Sequence, residues 1–237
     1  MDLETHTEKL LIIKKMTNNY IFKNFKNNSV YKRKLLEVVK KMCNLEIGGY
    51  RFYDGSGTHY MQNPKEIVEL IFNLKNYEKK KKIKLKSFLE IGFAAGTNNS
   101  FLNKFFEFQK IVAIDHVSPG GINKDTFFSN LRFKNLTLIC GDSTKKETIE
   151  HASILGPYDF IFIDGGHSYE IVKKDFQNYS KMLNKNGLIA MHDIFSDTDV
   201  PKLWKELKKK HNKDCKFSEF YDPSQELKYG IGLIYKN

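Results

Sequence analysis

The chain has little that would staple, anchor or export it. Three cysteines occur in 237 residues, Cys43, Cys140 and Cys215, far apart and with no C-x-x-C pair. That usage excludes a disulfide framework and points to a reducing compartment. No apolar run approaches the roughly 18 to 20 residues that a membrane span needs; LLII at 10–13 is far too short. The start also lacks a basic segment followed by an apolar stretch and a small-residue cleavage site, so the expected location is the cytoplasm. No repeat of solenoid length is visible.

Charge of one sign is not scarce. Thirty-nine Lys and Arg against 28 Asp and Glu give a formal net charge of +11, which admits nucleic acid, a membrane surface or a phosphorylated small molecule as partner. Lysine and asparagine are abundant throughout, however, and the densest run, KKKKIKLK at 79–86, reads as a solvated helix end and linker rather than a binding patch.

The pattern changes near residue 85. Before it, SVYKRKLLEVVKKMCNL repeats apolar residues at helical spacing, an earlier helix is expected over TEKLLIIKKMTNNYIFKNF, and PKEIVELIFNL opens with proline as helices often do. Between them, GGYRFYDGSGTHYMQNP is rich in glycine and aromatic residues. We read 1–85 as helices plus a lid or dimerisation segment, and the N-terminal helices as a possible contact between copies. From 86 to 237, SFLEIGF, KIVAIDH, LTLICGD, YDFIFIDGG and GLIAMHDI alternate with helical segments. The expected fold class is therefore α/β, a Rossmann-like doubly wound sheet, mostly parallel with helices on both faces. KFSEFY and GIGLIYKN follow with no room for a crossover helix, so a C-terminal strand should run antiparallel.

In such a sheet, ligands bind beyond the carboxyl ends of the strands. The first candidate end is EIGFAAGTN, with Glu90, Gly92 and Gly96: the glycines permit a sharp turn, and the next helix offers free N–H groups. Neither the dinucleotide fingerprint G-x-G-x-x-G nor a G-K-[ST] is present, which weighs against a dehydrogenase and a P-loop enzyme. The second strand ends in Asp115, nineteen residues after Gly96, the reach of an acidic residue to ribose hydroxyls. The third ends in Asp142 and Ser143, a carboxylate and a hydroxyl suited to an adenine edge. Capping is the plainer role for Ser143 and Thr97.

In this order, EIGFAAG, AIDH, CGDS, FIDGGHSYE and GLIAMHD resemble the class I S-adenosylmethionine-dependent methyltransferases. More narrowly, FIDGGHSYEIVKKDF followed by a glycine-led strand ending in His-Asp is similar to the branch of macrolide-sugar O-methyltransferases and cephalosporin-hydroxylase-like proteins, over roughly residues 57–237. The resemblance implies S-adenosylmethionine as cofactor, with Glu90, Gly92 and Gly96 on its methionine side, Asp115 on ribose, and Asp142 with Ser143 at adenine. It also implies that the loop holding Tyr60 and Gln62 closes over the site.

Neighbouring fourth and fifth strands would bring Asp164 together with His192 and Asp193 about 5 Å apart, one strand spacing. Two carboxylates and an imidazole in one cleft suit a divalent metal, Mg or Mn, and the branch includes enzymes in which such an ion chelates two substrate hydroxyls. His192 departs from the pair of acidic residues common there. His167 would take the proton from the hydroxyl being methylated, with Asp164 beside it. The expected activity is O-methylation of a sugar or similar polyol, with an anionic nucleotide-linked sugar of a glycan or capsule pathway among the candidate acceptors. A nucleic-acid methyltransferase is the second reading, disfavoured because no [DN]-P-P-[YF] follows the fourth strand. A cofactor-binding assembly subunit without catalysis is the third. Besides any site, FIDGGHSYE should form a glycine turn with Ser168 capping a helix whose Tyr169, Val172 and Phe176 face the core.

Overall fold

A computed structural model describes residues 28–43, 62–94, 96–117, 134–224 and 229–236. The early helix read over TEKLLIIKK and the loop with Tyr60 lie outside them. Helix α1 is Asn28–Cys43 and α2 is Pro64–Lys81. Then come β1 (Ser87–Ile91), α3 (Thr97–Phe106), β2 (Lys110–Asp115), β3 (Leu136–Cys140), α4 (Lys146–Leu155), β4 (Tyr158–Ile163), α5 (Tyr169–Tyr179), a 3-10 turn (Ser180–Met182), β5 (Leu183–Met191), α6 (Val200–His211), β6 (Cys215–Phe220) and β7 (Ile231–Lys236). Among the described residues, no helix is long and apolar enough to cross a membrane.

The seven strands are ordered β3-β2-β1-β4-β5-β7-β6. The first five pair in parallel, and β7 is antiparallel to both β5 and β6. This is a Rossmann-like doubly wound sheet, mostly parallel, with an antiparallel C-terminal pair. Period-2 alternation divides the strand residues between two layers. Phe88, Ile111, Phe160, Phe162, Leu188 and Ala190 pack with Leu35 of α1 and the apolar faces of α2 and α3. Leu89, Ile91, Val112, Ile161, Ile163 and Met191 face Val172 and Tyr179 of α5 and Leu203 and Trp204 of α6.

Local chemistry sets the element ends. Asn63 caps α2 by accepting from the Lys65 amide, Pro64 opens it, and Lys82 closes it in the left-handed region with φ 55°. KKKKIKLK is thus largely an exposed helix end, as its charge implied. Two expectations need correction. The helix after FIDGGHSYE stops at Tyr179, and β5 begins at Leu183, earlier than the glycine-led stretch suggested. Ser168 occupies the cap position of α5 without a side-chain cap bond; Asp199 instead accepts from the Tyr169 amide at 3.2 Å. Val172 is buried and Tyr169 and Phe176, partly buried, pack against the same core as expected, while the Tyr169 hydroxyl donates to Glu206 at 2.6 Å.

Candidate active site

The chain runs outward from β1 to β3 and returns to β4 on the other side of β1, so the strand order reverses between β1 and β4. Their carboxyl ends lie in register, Ile91 opposite Ile163, and the Asp164 amide donates to the Ile91 carbonyl at 2.8 Å. Gly92 is required there. Its φ is +95°, and a Cβ would stand 1.9 Å from the Asp164 carbonyl oxygen. Position 94, where the dinucleotide fingerprint has its second glycine, holds alanine but adopts φ 45° all the same. Its amide donates to Asp115 Oδ2 at 2.8 Å.

The sequence-predicted cofactor residues line this crevice in different states of engagement. Glu90 is 1% exposed, and its carboxylate is held by Asn98 at 2.6 Å and Asn99 at 2.9 Å. Burial dominates and pushes its pKa up to about 8. Asp115 also accepts from the Val117 amide at 2.7 Å. Asp142 is exposed and accepts from both the amide and hydroxyl of Thr144 at 2.8 Å, contacts that hold its pKa below the usual carboxylate value. The Ser143 carbonyl receives the Tyr179 hydroxyl at 2.7 Å. Gly96 opens α3 at φ 74°. A glycine turn whose amides are held by Ile114, Asp115 and Phe93, a buried acid behind it and two further carboxylates line one crevice, a lining that would suit an aminoacyl-adenosine ligand. Asn98 and Asn99 were missed as partners of Glu90; two amides in the first turn after a glycine loop were the signal.

The second group stands one step along the sheet. The His192 amide continues the β4–β5 ladder onto the Ile163 carbonyl at 3.1 Å, so Asp164 and His192 emerge side by side. Asp193 then takes φ 62°, a conformation Asp tolerates better than most residues. Its carbonyl accepts from the Ser196 amide and hydroxyl. The side chains converge as the sequence implied. His192 Nδ1 is 3.1 Å from Asp164 Oδ1 and 3.2 Å from Asp193 Oδ2, and His167 Nε2 is 2.9 Å from that same Asp193 oxygen. Gln62 donates to Asp164 Oδ2 at 2.6 Å.

The electrostatics follow from this packing. Burial favours neutral His192, but Asp164 and Asp193 outweigh it and hold the pKa well above the ordinary histidine value. Half-exposed His167 is raised by its hydrogen bond to Asp193. Burial would raise Asp193, yet the two histidines hold it far below the usual range. Glu66, at the start of α2, is 2% exposed; burial lifts its pKa to about 7 against the opposing charge of His192.

For a divalent ion, Asp164, His167 and Asp193 each offer one ligand atom, all within 4.8 Å of one another. The sequence reading put His192 rather than His167 in that set; His192 Nδ1 instead lies within hydrogen-bond range of both carboxylates. Oxygen and imidazole donors so close together fit Mg or Mn.

Residues 89–194 match a protein-family model described as a methyltransferase domain. The chain is 29% identical over 112 residues to the uncharacterized protein R132 of Acanthamoeba polyphaga mimivirus. That match covers 45% of this chain and 51% of the relative, so it spans about half the relative's length. Among solved structures, an rRNA methylase from Streptococcus thermophilus superposes with a TM-score of 0.55 at 12% identity, over 74% of this chain and 98% of that one. MycE methyltransferase of the mycinamycin biosynthetic pathway, in complex with Mg, SAH and mycinamycin VI, superposes with a TM-score of 0.54 at 13% identity, over 100% of this chain and 63% of that one. At such identities the likeness is one of fold.

Proposed function

We propose that this chain, whose residues 89–194 match a methyltransferase-domain model, is a class I S-adenosylmethionine-dependent methyltransferase that methylates a hydroxyl group on a sugar or similar polyol with the help of a divalent metal. The observation that carries the reading is the convergence of Asp164, His167 and Asp193 just beyond β4 and β5, next to the crevice lined by Gly92, Asp115 and Asp142. A bound S-adenosylmethionine would supply the electrophilic methyl group, with its sulfur keeping the electron pair of the broken bond as the acceptor oxygen takes the methyl carbon.

The chain's own residues handle the proton. An alcohol is a weak nucleophile, and a base within hydrogen-bond reach raises its alkoxide character. His167 suits that role: its side chain is half exposed, and Asp193 fixes the ring by accepting from Nε2 at 2.9 Å. Nδ1 is then the nitrogen available to take the acceptor's proton, and the imidazolium so formed stays paired with Asp193. Asp164 and Asp193, with an imidazole, would hold a metal whose contribution is to acidify the bound hydroxyl. A vicinal diol would use two positions on such an ion, and the net charge of +11 accords with an anionic, nucleotide-linked acceptor.

Thermal unfolding of EDTA-treated protein with S-adenosylhomocysteine, with and without added Mn, tests the binding steps. A ligand at 100 times its dissociation constant adds about 2.7 kcal/mol, a rise of roughly 5 to 11 °C for a domain of this size. Incubation with S-adenosylmethionine and a panel of free and nucleotide-linked sugars, followed by mass detection of a 14 Da gain in the acceptor, about one added CH₂, tests the reaction. Absence of any response to the adenosyl ligand refutes the proposal.

A further inference from the structure

Gly92, Asp115 and Asp142 follow β1, β2 and β3, whereas β7 and β6 continue the sheet beyond β5 in the other direction. Methyl transfer needs the incoming oxygen in line with the breaking bond, opposite the sulfur. An acceptor that reaches Asp164 and Asp193 from that side extends over the ends of β5, β7 and β6, and those ends expose aromatic rings. Among the described residues, four large hydrophobic side chains are exposed, Ile154, Ile171, Phe195 and Tyr221. Phe195 and Tyr221 form a pair here, with ring centroids 5.1 Å apart and planes at 70°. The pair is built into the fold. The Ser196 amide closes a turn onto the Asp193 carbonyl at 3.2 Å, and within it the Phe195 amide donates to the Tyr229 carbonyl at 2.8 Å. At Gly230, where φ is +75°, a Cβ would stand 2.5 Å from Phe195 Cδ2, so the phenyl ring lies where a side chain would otherwise be. Tyr221 comes from the far side, since Phe220 pairs with Ile231 and the next residue lies beside Gly230. Asp222 fixes that loop by accepting from Lys65 Nζ at 2.8 Å and the Ser224 hydroxyl at 2.7 Å. Phe195 and Tyr221 nonetheless remain 37% and 47% exposed.

We propose that Phe195 and Tyr221 form an acceptor-binding shelf that stacks against the C–H face of the sugar ring and so selects which hydroxyl reaches Asp164 and His167. This rests on the O-methylation reading above and names the part of the acceptor that the chain grips. Two chain steps separate Phe195 from Asp193 and span at most about 7 Å. Phe195 therefore meets the ring that carries the reacting hydroxyl, not a nucleotide further along the molecule. Chemistry agrees with that occupant: the negative face of an aromatic ring attracts the partly positive hydrogens of a sugar's C–H face. A protein partner fits poorly, because two rings offer at most about 150 to 250 Å² each, short of the roughly 800 Å² per side of a stable interface.

The test is saturation-transfer NMR on the full-length chain with S-adenosylhomocysteine and Mg²⁺, for wild type, Phe195→Ala, Phe195→Tyr and Tyr221→Ala. The probes are methyl α-glucoside and uridine diphosphate glucose, and S-adenosylhomocysteine affinity is measured in parallel by calorimetry. In the wild type, saturation should fall on the sugar C–H protons more than on the uracil protons. Each alanine variant should weaken sugar binding by about tenfold or more, Phe195→Tyr should restore it, and the adenosyl ligand should bind alike in all four. Both rings are partly exposed, so their removal leaves the core intact, and equal melting temperatures check that. Sugar saturation undiminished in either alanine variant overturns the shelf and leaves the methyltransferase reading standing. Saturation centred on uracil and lost in Phe195→Ala overturns the sugar assignment, as does a wild type that binds S-adenosylhomocysteine but gives no sugar saturation. No binding of S-adenosylhomocysteine by the wild type overturns the methyltransferase reading, and the shelf with it.

Discussion

Glu90→Gln should change how stability depends on pH. Glu90 is buried at the end of β1, with one oxygen on Asn98 and the other on Asn99, and its pKa is pushed up to about 8 from an ordinary 4.5. A carboxyl group whose folded pKa is raised binds more protons in the folded state than in the unfolded one, over the interval between the two values. Stability from this group is therefore complete below pH 4.5 and falls as pH rises towards 8. At about 1.4 kcal/mol per unit, the interval corresponds to a loss on the order of 5 kcal/mol. Glutamine has nearly the same shape and cannot ionise. Below pH 4.5 the variant should be the weaker protein by about 1 kcal/mol, because its amide sets an N–H₂ group against one asparagine N–H₂. Near pH 8 it should be the more stable by several kcal/mol. Glu66 and Asp175, also raised by burial to about 7 and about 6, titrate in both proteins and cancel in the difference. Urea midpoints for the two proteins at half-unit intervals from pH 4 to 9 measure that difference directly. A difference that stays constant across the range refutes the argument, and would mean that Asn98 and Asn99 compensate the buried charge fully. The same substitution should weaken S-adenosylhomocysteine binding, so stability gained at pH 8 would accompany function lost.

His167→Ala should reduce methyl transfer by about 100- to 10,000-fold while leaving binding of S-adenosylhomocysteine, measured by calorimetry, unchanged. Because Asp193 raises the His167 pKa and a base must be unprotonated, the wild-type rate should climb with pH through a value above 6.5. Asp193→Asn, which Asn tolerates at φ 62°, should move that limb to lower pH. Linkage gives the matching stability effect: the raised His167 contributes stability below pH 6.5, and it is lost as pH passes its folded value. Gly232→Ala should lower the melting temperature by about 2 to 12 °C through an overpacking cost of about 1 to 3 kcal/mol, since its Cβ would lie 2.4 Å from the Trp204 ring. An unchanged melting temperature would mean that the indole is loosely held despite its 2.6 Å bond to Glu219.

The parts of this site that the sequence revealed are those fixed by strand ends. A run such as YDFIFIDGG places its last carboxylate at the crevice whatever the neighbours do, because period-2 alternation and the parallel sheet leave it no other place. Asp115, Asp142, Asp164, His192 and Asp193 were legible for that reason. Glu66 was not, since it is an acid on the apolar face of α2 and only the fold brings the Gly230 amide to it. The burial of Glu66 depends on where α2 meets β6 and β7, a contact between segments some 160 positions apart, as in the bond from the Gly230 amide to Glu66. Sequence periodicity records which face of a helix is apolar, whereas a buried acid on that face looks like a pattern error until its partner is located. Conflicts between a local pattern and burial are thus the places to look for function: among the described residues, Glu66, Glu90 and Asp175 are acids buried against the pattern and pushed up in pKa. Of these, Glu90 lies at the end of β1 beside the crevice, held by Asn98 and Asn99.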